Sequence, residues 1–448
     1  LTQSDDQSPA KLNYRVILPI FVIVLIDLIG LSIILPLLPL YAATFGADPF
    51  IIGLVGASYP MMQFLASPIL GQLSDRFGRR PVLIVSQFGT LFGFLLLGFA
   101  NSLLLLFISR IIDGISGGNI STADAAVSDS TTKENRTQGL GLIGAAFGLG
   151  FILGPILALV ILALTDNNYQ MVAFTAAFFS LLSILLTIFW FQETLPPEAR
   201  GKSGVRGRPR GLAVMLVSLR APATGLLVAL MFFQQLAFSG YENFLALFTL
   251  GRLGMNGSSN AGLFVLAGLV VVVVQGGLVG RWSKRWGNRW LILLGLSMMG
   301  IGLLMTAVTP RVVVPWYSEA ALREELSVEG GSAGEGGLVS DIQVDLPDET
   351  KKGWSGLVWV ALAIVPIAIG AGSIFPGVNS MLTQRVPEDQ VGEILGVSAG
   401  YFSLASAISP VLLGLVYKFG GATLTFGIGG LVLVALWFFA RRSPGLAE

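Results

Sequence analysis

The sequence predicts an all-α membrane protein of twelve transmembrane helices in two pseudo-symmetric six-helix halves. Three observations carry that expectation: composition, the spacing of apolar runs, and an internal repeat. Of 448 residues, 54% are hydrophobic and only 12% are charged, against about 25% charged in soluble domains. With a mean hydropathy of +0.78, there is too little polar surface to cover a soluble globule, and a soluble enzyme is excluded.

A hydrocarbon core about 30 Å thick needs about 20 apolar residues per helix. Runs of that order occupy 16–42, 50–71, 81–100, 103–127, 138–163, 170–192, 224–250, 259–280, 290–310, 355–382, 391–416 and 423–440. The bilayer offers no water to backbone N–H and C=O groups, so each run must be helical. The longer ones tilt or reach into the interface. Residues 1–15 are polar, and the first apolar run is too long for a cleavable signal. Twenty of the 27 Lys and Arg residues fall on inner segments if the N-terminus is inside, six fall outside, and Arg110 lies within a span. The positive-inside rule therefore places both termini in the cytoplasm.

Gly71, Asp75, Arg76, Gly78, Arg79 and Arg80, in the loop after span 2, recur 209 residues later as Gly280, Lys284, Arg285, Gly287, Asn288 and Arg289. A second pair, Gly141, Phe147 and Pro155 against Gly396, Phe402 and Pro410, is offset by 255. An insertion of 46 residues must separate them in the second half, and the long segment 311–353 supplies nearly all of it. The expected organisation is an N-terminal half at 1–200, a basic cytoplasmic linker at 201–222, and a C-terminal half at 223–448 with an extracytoplasmic insertion at 311–353. Within it, residues 319–349 hold nine acids and one Arg. That composition reads as a solvated, partly flexible loop with a short strand at 339–346. Repeated halves of this kind place a binding site near the midplane between them.

There is no Cys and no His, which excludes disulfides, thiol chemistry and the commonest zinc ligands. No metal or cofactor is expected. Proton handling falls to Asp and Glu. Charge within hydrocarbon is expensive and is usually paired or functional. Asp27 lies 12 residues beyond Arg15, about 18 Å along a helix. Arg110 matches it in depth, and Asp113 follows three residues on, on the same helical face. A cluster of Asp27, Arg110 and Asp113 carries −1 with both acids ionised and 0 with one proton bound. Two readings stand: a proton-coupling cluster, or a static bridge locking spans 1 and 4. Glu242 is the one ionisable residue well inside a second-half span. It is read as a cavity acid or a wetted rim residue, with Gly240 free to break span 7. Phe232, Gln235, Phe238 and Tyr241 beside it suit a bulky amphipathic ligand or a packed helix face.

At the inner mouth, Gly71 and Gly78 allow a sharp turn, while Arg76, Arg79 and Arg80 can clasp carboxylates, with Asp129 the preferred partner. Topological anchoring by positive charge is the alternative, but it gives no reason for Asp75 amid three arginines. Lys284 in place of Asp75 makes the two gates electrostatically unequal. In span 5, Gly144, Gly148, Gly150 and Gly154 precede Pro155. Glycines at this spacing let helices approach closely, and the proline removes a hydrogen bond and bends the helix. Close packing and a bend at the interface between the halves both fit.

The loop from Gly71 to Arg80, followed by Pro81, resembles the signature between spans 2 and 3 of the major facilitator superfamily. Three further segments resemble twelve-span drug/proton antiporters of the tetracycline/proton type. They are Asp27 and Gly30 through Pro36 and Pro39, Arg110 with Asp113 and Gly114, and Gly144 through Gly148, Gly150 and Gly154 to Pro155. The resemblance is dense over 16–200. Spans 3 and 9 hold no acid, a departure from tetracycline antiporters. The resemblance implies the major facilitator fold and secondary active transport, namely proton-coupled efflux of lipophilic or amphipathic small molecules by alternating access. An uptake symporter or amphiphile carrier on the same fold is the alternative, and a non-transporting scaffold or receptor the more distant one. Expected partners are a small-molecule substrate, protons and membrane lipid, with no nucleic acid, for a monomer in a bacterial inner membrane. No phosphate-binding loop of nucleotide-driven pumps occurs.

Overall fold

The computed structural model of the chain describes residues 14–131, 136–201, 212–221, 224–328, 346–349, 351–387 and 391–443. The cations at 11, 133, 202, 206, 208 and 210 lie outside the described residues, as does the strand expected at 339–346 except for Leu346. In chain order the helices are α1 (Tyr14–Ile34), α2 (Leu38–Thr44), α3 (Pro49–Phe77), α4 (Arg79–Gly98), α5 (Leu103–Gly117), α6 (Ile120–Asp129), α7 (Arg136–Leu164) and α8 (Tyr169–Phe189). They continue as α9 (Leu212–Arg220), α10 (Gly225–Leu253), α11 (Gly257–Val273), α12 (Val279–Ala307), α13 (Glu319–Val328), α14 (Ser355–Gln384) and α15 (Val391–Arg442).

The first apolar run is two helices rather than one. Pro36 lies in the turn that ends α1, and Pro39 opens α2, where its missing N–H costs nothing. The fourth run likewise divides into α5 and α6 around Gly118 and Asn119. Nine helical stretches among the described residues are long and apolar enough to cross a membrane. Two of these, Gly257–Ala307 with 51 residues and Ile394–Arg442 with 49, far exceed the roughly 20 residues of one crossing. Each turns at a glycine of positive φ, Gly287 at 79° and Gly421 at 72°. Gly78, at φ 105°, makes the equivalent turn between α3 and α4, 209 residues before Gly287. Asp166, with φ 51°, precedes Gly421 by 255. Both sequence offsets are therefore repeated in backbone geometry. A π-helical turn at Val274–Leu278 joins α11 to α12.

Side-chain caps mark one end of the bundle. Asp48 accepts from Ile51 N–H at 2.9 Å, Asn168 from Met171 N–H at 2.9 Å and Asn256 from Ser259 N–H at 3.2 Å. The halves meet at this same end. Lys418 Nζ on α15 donates to Asp48 Oδ2 at 2.7 Å, and Ser258 N–H on α11 donates to Asn167 Oδ1 at 2.9 Å. Gly53 lies against the Pro410 carbonyl, Gly56 against Asn243, and Gly414 against the Pro49 carbonyl. Toward the other end of α3, Leu65, Ile69 and Leu73 are exposed, and Gly276, Gly277 and Gly280 have no neighbour within 4 Å of a would-be Cβ.

The expected linker and insertion contain more structure than their composition suggests. α9 lies inside 201–222 and packs on α10 and α15, with Tyr401 hydroxyl donating to the Met215 carbonyl at 2.9 Å. In the insertion α13 buries Leu322. Tyr317 hydroxyl donates to the Pro347 carbonyl at 2.8 Å and Lys352 Nζ to the Tyr317 carbonyl at 2.6 Å. The Tyr317 ring rests on Gly254. The two ends of the insertion are thus tied together and seated on the bundle.

Burial pushes the Asp48 carboxyl up, but hydrogen bonds from Lys418 and from the Ile51 N–H outweigh it and hold the group below the usual carboxylate range. A depressed folded-state pKa contributes stability above the unfolded value that is lost as pH falls through the folded one. Asp48→Ala should therefore lower stability at pH 7 by about 1 kcal/mol, the worth of an N-cap. Asp48→Asn, which keeps the cap, should cost less. Thermal melts of the purified protein from pH 7 to pH 3 should show the wild-type advantage begin to shrink near pH 4 and keep falling below it.

Candidate functional site

The site expected around Asp27 is a small cavity inside the N-terminal half, about 40 Å³ in volume, lined by Asp27, Tyr59, Thr90, Phe94, Asp113 and Asn119 among others. α1 supplies Asp27, whose Oδ2 accepts from Gln87 Nε2 at 3.4 Å and Asn119 Nδ2 at 3.3 Å. Gln87 also donates to Ser183 Oγ at 2.8 Å, tying α4 to α8. Asp27 Oδ1 is buried and makes no hydrogen bond. α5 supplies Arg110, whose Nη1 lies 3.2 Å from Asp113 Oδ2, with both side chains 2% exposed. The guanidinium carbon sits 5.6 Å from the Phe94 ring centroid, a cation–π contact. Its Nε and Nη2 donate to nothing.

Asp27, expected to face Arg110, thus forms no ion pair with it. Arg110 takes Asp113, one turn along its own helix, where pairing needs no approach between helices. Asp27 is held by amides instead. The sequence reading passed over Gln87, Asn119, Ser183 and Thr90. Their signal was present, since polar side chains inside apolar runs must find partners within the bundle.

The Asp75–Arg80 segment closes one end of the same half. Arg79 opens α4 and is nearly buried. Its Nε donates to Asp129 Oδ2 at 2.8 Å and its Nη1 to Asp75 Oδ1 and Ser74 Oγ, each at 2.6 Å. Gly71 lies near Ser121 of α6. Glu193, beyond α8, accepts from the backbone N–H of Arg79 at 2.8 Å and of Arg80 at 3.1 Å. That satisfies donors at the start of α4, which would otherwise be orphaned. Glu193 follows the sixth apolar run and carried no sequence signal tying it to Gly78. Arg80 donates to the Thr187 and Ile188 carbonyls at the end of α8. Arg76 is exposed, lies over the Phe77 ring at 5.3 Å and forms no ion pair among the described residues. The three arginines are therefore not equivalent: Arg79 knits α3, α4 and α6, Arg80 caps α8, and Arg76 faces outward.

Two of the span 5 glycines pack inside the N-terminal half, whereas Gly148 lies nearest to Gln275 of the other half and Gly144 has no neighbour within 4 Å of a would-be Cβ. Gly150 meets Leu28, and Gly154 meets Ser32 and Ile33 of α1. Ser32 Oγ donates to the Gly150 carbonyl at 2.7 Å. α7 continues as one helix through Pro155. Close packing explains Gly150 and Gly154. Facing the other half, Ile152 of α7 meets Gly268 of α11.

α10 also runs unbroken through Gly240. The missing Cβ instead admits Leu413 and Ser409 of α15. Glu242 is half-buried and forms no ion pair among the described residues. Gln235 and Phe238 precede it at helical spacings of seven and four, on its own face. Gln235 Nε2 donates to Ser406 Oγ at 2.9 Å. Phe232 packs edge-on against Tyr401 at 6.2 Å. Tyr241 turns away from that face into the core of the C-terminal half, edge-on to Phe426 at 5.7 Å. Its ring packs in that core, and its buried hydroxyl has no hydrogen-bond partner among the described residues.

The chain matches the family description Major Facilitator Superfamily over residues 20–325. It is 27% identical over 404 residues to the class B tetracycline resistance protein of Escherichia coli, covering 89% of this chain and 87% of that one. It is 30% identical over 365 residues to the human major facilitator superfamily domain-containing protein 10, covering 68% of this chain and 79% of the relative. The crystal structure of the human organic anion transporter MFSD10 (TETRAN) superposes with a TM-score of 0.60 at 24% identity, over 95% of this chain and 99% of that one.

Arg79→Ala leaves Asp75 and Asp129, both partly exposed, without their cation, and losing these charge-assisted hydrogen bonds costs about 2 kcal/mol. Arg76→Ala, at an exposed position, should stay within about 0.5 kcal/mol. Thermal melts of the two variants in one detergent check the ranking, and equal losses would mean that Arg79 is no keystone.

Proposed function

The chain belongs to the major facilitator superfamily and is an integral, multi-pass membrane transporter, and we propose that it is a proton-coupled exporter of lipophilic or amphipathic small molecules. Dividing the two long stretches at Gly287 and Gly421 and adding α10 gives twelve crossings, six in each half. The excess of cations on the segments bearing Arg76–Arg80 and Arg281–Arg289 makes that face cytoplasmic. On this topology the contacts from Asp48 to Lys418 close the outer side, while the exposed Leu65, Ile69 and Leu73 of α3 lie toward the inner one.

One observation carries the coupling: the buried Oδ1 of Asp27, without a hydrogen bond among the described residues, in a cavity that Asp113, the partner of Arg110, also lines. A carboxylate oxygen with no donor is an acceptor waiting for a proton. Asp113 keeps Arg110 paired whatever the state of Asp27, so the site can gain or lose one proton without stranding the cation. A proton moving down 100 mV supplies about 2.3 kcal/mol, roughly a fiftyfold gradient. Glu242, with Gln235, Phe232 and Phe238, offers the second half's polar and aromatic contribution to the ligand face. Relatives named as tetracycline resistance proteins support the outward direction.

Asp27→Asn should fold normally, keep ligand binding, and lose both ligand-induced proton release in detergent and uphill transport in liposomes. The ligand is a lipophilic compound selected by thermal-shift screening of the wild type. If both activities stay at the wild-type level, Asp27 is structural. Arg110→Ala should be worse for folding, since it leaves a carboxylate uncompensated in the bundle.

A further inference from the structure

We propose that the second half carries a binding site for one anionic phospholipid, with an acyl chain in a membrane-facing groove of α11, α12 and α14 and the headgroup phosphate on Arg281, Lys284 and Arg285. The groove has a volume of about 290 Å³, and Leu269, Val273, Val274, Leu278, Trp282 and Ile369 line it without a polar atom at its surface. It runs along the π-helical turn at Val274–Leu278, where the changed helical register exposes Val273, at 61%. In a membrane, an exposed apolar groove is filled by hydrocarbon, and lipid tails are the hydrocarbon at hand.

The groove ends at Trp282. From Leu278, Arg281 and Arg285 follow at spacings of three and seven, so the apolar stripe continues directly into cations. Arg281, Lys284 and Arg285 are exposed and pair with no carboxylate among the described residues. Arg285 lies over the Trp286 ring at 5.2 Å, and Trp290 packs on Trp286 at 4.3 Å and on Trp282 at 5.9 Å. Arg289 donates to the Arg441 carbonyl at 2.9 Å, and Arg441 lies over Trp437 at 5.2 Å. Tryptophan rings belong at the level of lipid headgroups, and basic clusters between membrane helices recruit anionic ones. The same turn in the first half is answered by protein carboxylates, with Asp75 and Asp129 on Arg79 and Glu193 on the backbone. In the second half Lys284 stands at the position of Asp75, which leaves the charge for an anion from outside the chain. Topological anchoring requires cations near a helix end, but not their alignment with an apolar groove.

The test is native mass spectrometry of the purified protein in detergent with equimolar phosphatidylglycerol and phosphatidylcholine of the same chain length. The wild type should retain one phosphatidylglycerol in preference. Arg281→Gln/Lys284→Gln/Arg285→Gln should lose that preference, while Lys351→Gln at the far end should keep it. Val273→Trp, which fills the groove and leaves the cations intact, should lose the same lipid. Thermal melts confirm that each variant is folded. Equal retention of the two lipids by the wild type, or a triple variant that still selects phosphatidylglycerol, would overturn the proposal. So would glycerol phosphate competing as well as the whole lipid, because the groove would then have no part.

Discussion

A guanidinium in hydrocarbon can be satisfied only by what the chain itself supplies, and the shape of the first half follows from how Arg110 is satisfied. Asp113 takes one of its nitrogens. The Phe94 face takes part of its charge, and Nε and Nη2 find no acceptor among the described residues. Bringing that face of α5 against α4 requires Gly93, which lies on the Asp113 side chain. On α5 itself, Gly114 and Gly117 let Tyr59 of α3 come close. Three helices are thus drawn around one cation. The cavity is what remains once large polar groups and small residues have been arranged to bury it, and Asp27 faces that space because α1 packs on α7 through Gly150 and Gly154.

The two halves use one backbone device with two electrostatic solutions. Gly78 and Gly287 turn the chain in the same way, 209 residues apart. In the first half the turn is surrounded by carboxylates from three other segments, so Arg79 becomes a tie between helices. In the second half Asn288 is satisfied by neutral partners, donating to Ser380 Oγ at 2.8 Å and accepting from Ser283 Oγ at 2.6 Å. The surrounding cations stay on the surface among tryptophans. Shape symmetry survived, while charge symmetry did not.

Much of this fold was legible because the bilayer imposes a length on every apolar run and a sign on its flanks. The repeat was legible because a sharp turn needs glycine at Gly78 and at Gly287. Partners across helices were less accessible. The spacing of Arg110 and Asp113 fixes their proximity, but nothing in the sequence says that Gln87 and Asn119 hold Asp27, because those contacts depend on helix rotation. Glu193 was missed for the same reason, being far along the chain from the turn it caps. Gly240, free on the sequence to break its span, lies in an unbroken helix, and α7 likewise continues through Pro155. Where a neighbouring helix needs room, a glycine in a bundle serves approach more than flexibility.

The ion pair that joins the halves is a partly exposed one. Asp48 and Lys418 have side chains 16% and 41% exposed, and an ion pair of that exposure is worth at most about 1 kcal/mol. It sets register rather than strength. Closure rests on backbone brought to within contact distance at Gly53, Gly56 and Gly414, where carbonyls and side chains of the opposite half fill the space of absent Cβ atoms. Such surfaces form and separate as units, since no single side chain can hold them partly open. In the proposed cycle one proton contributes about 2.3 kcal/mol per 100 mV. A two-state equilibrium balanced within a few kcal/mol is shifted by a difference of that size. On the proposed topology, exposed charge and glycine packing would keep this contact in that range, and protonation of a single buried carboxyl would decide which end of the bundle is open.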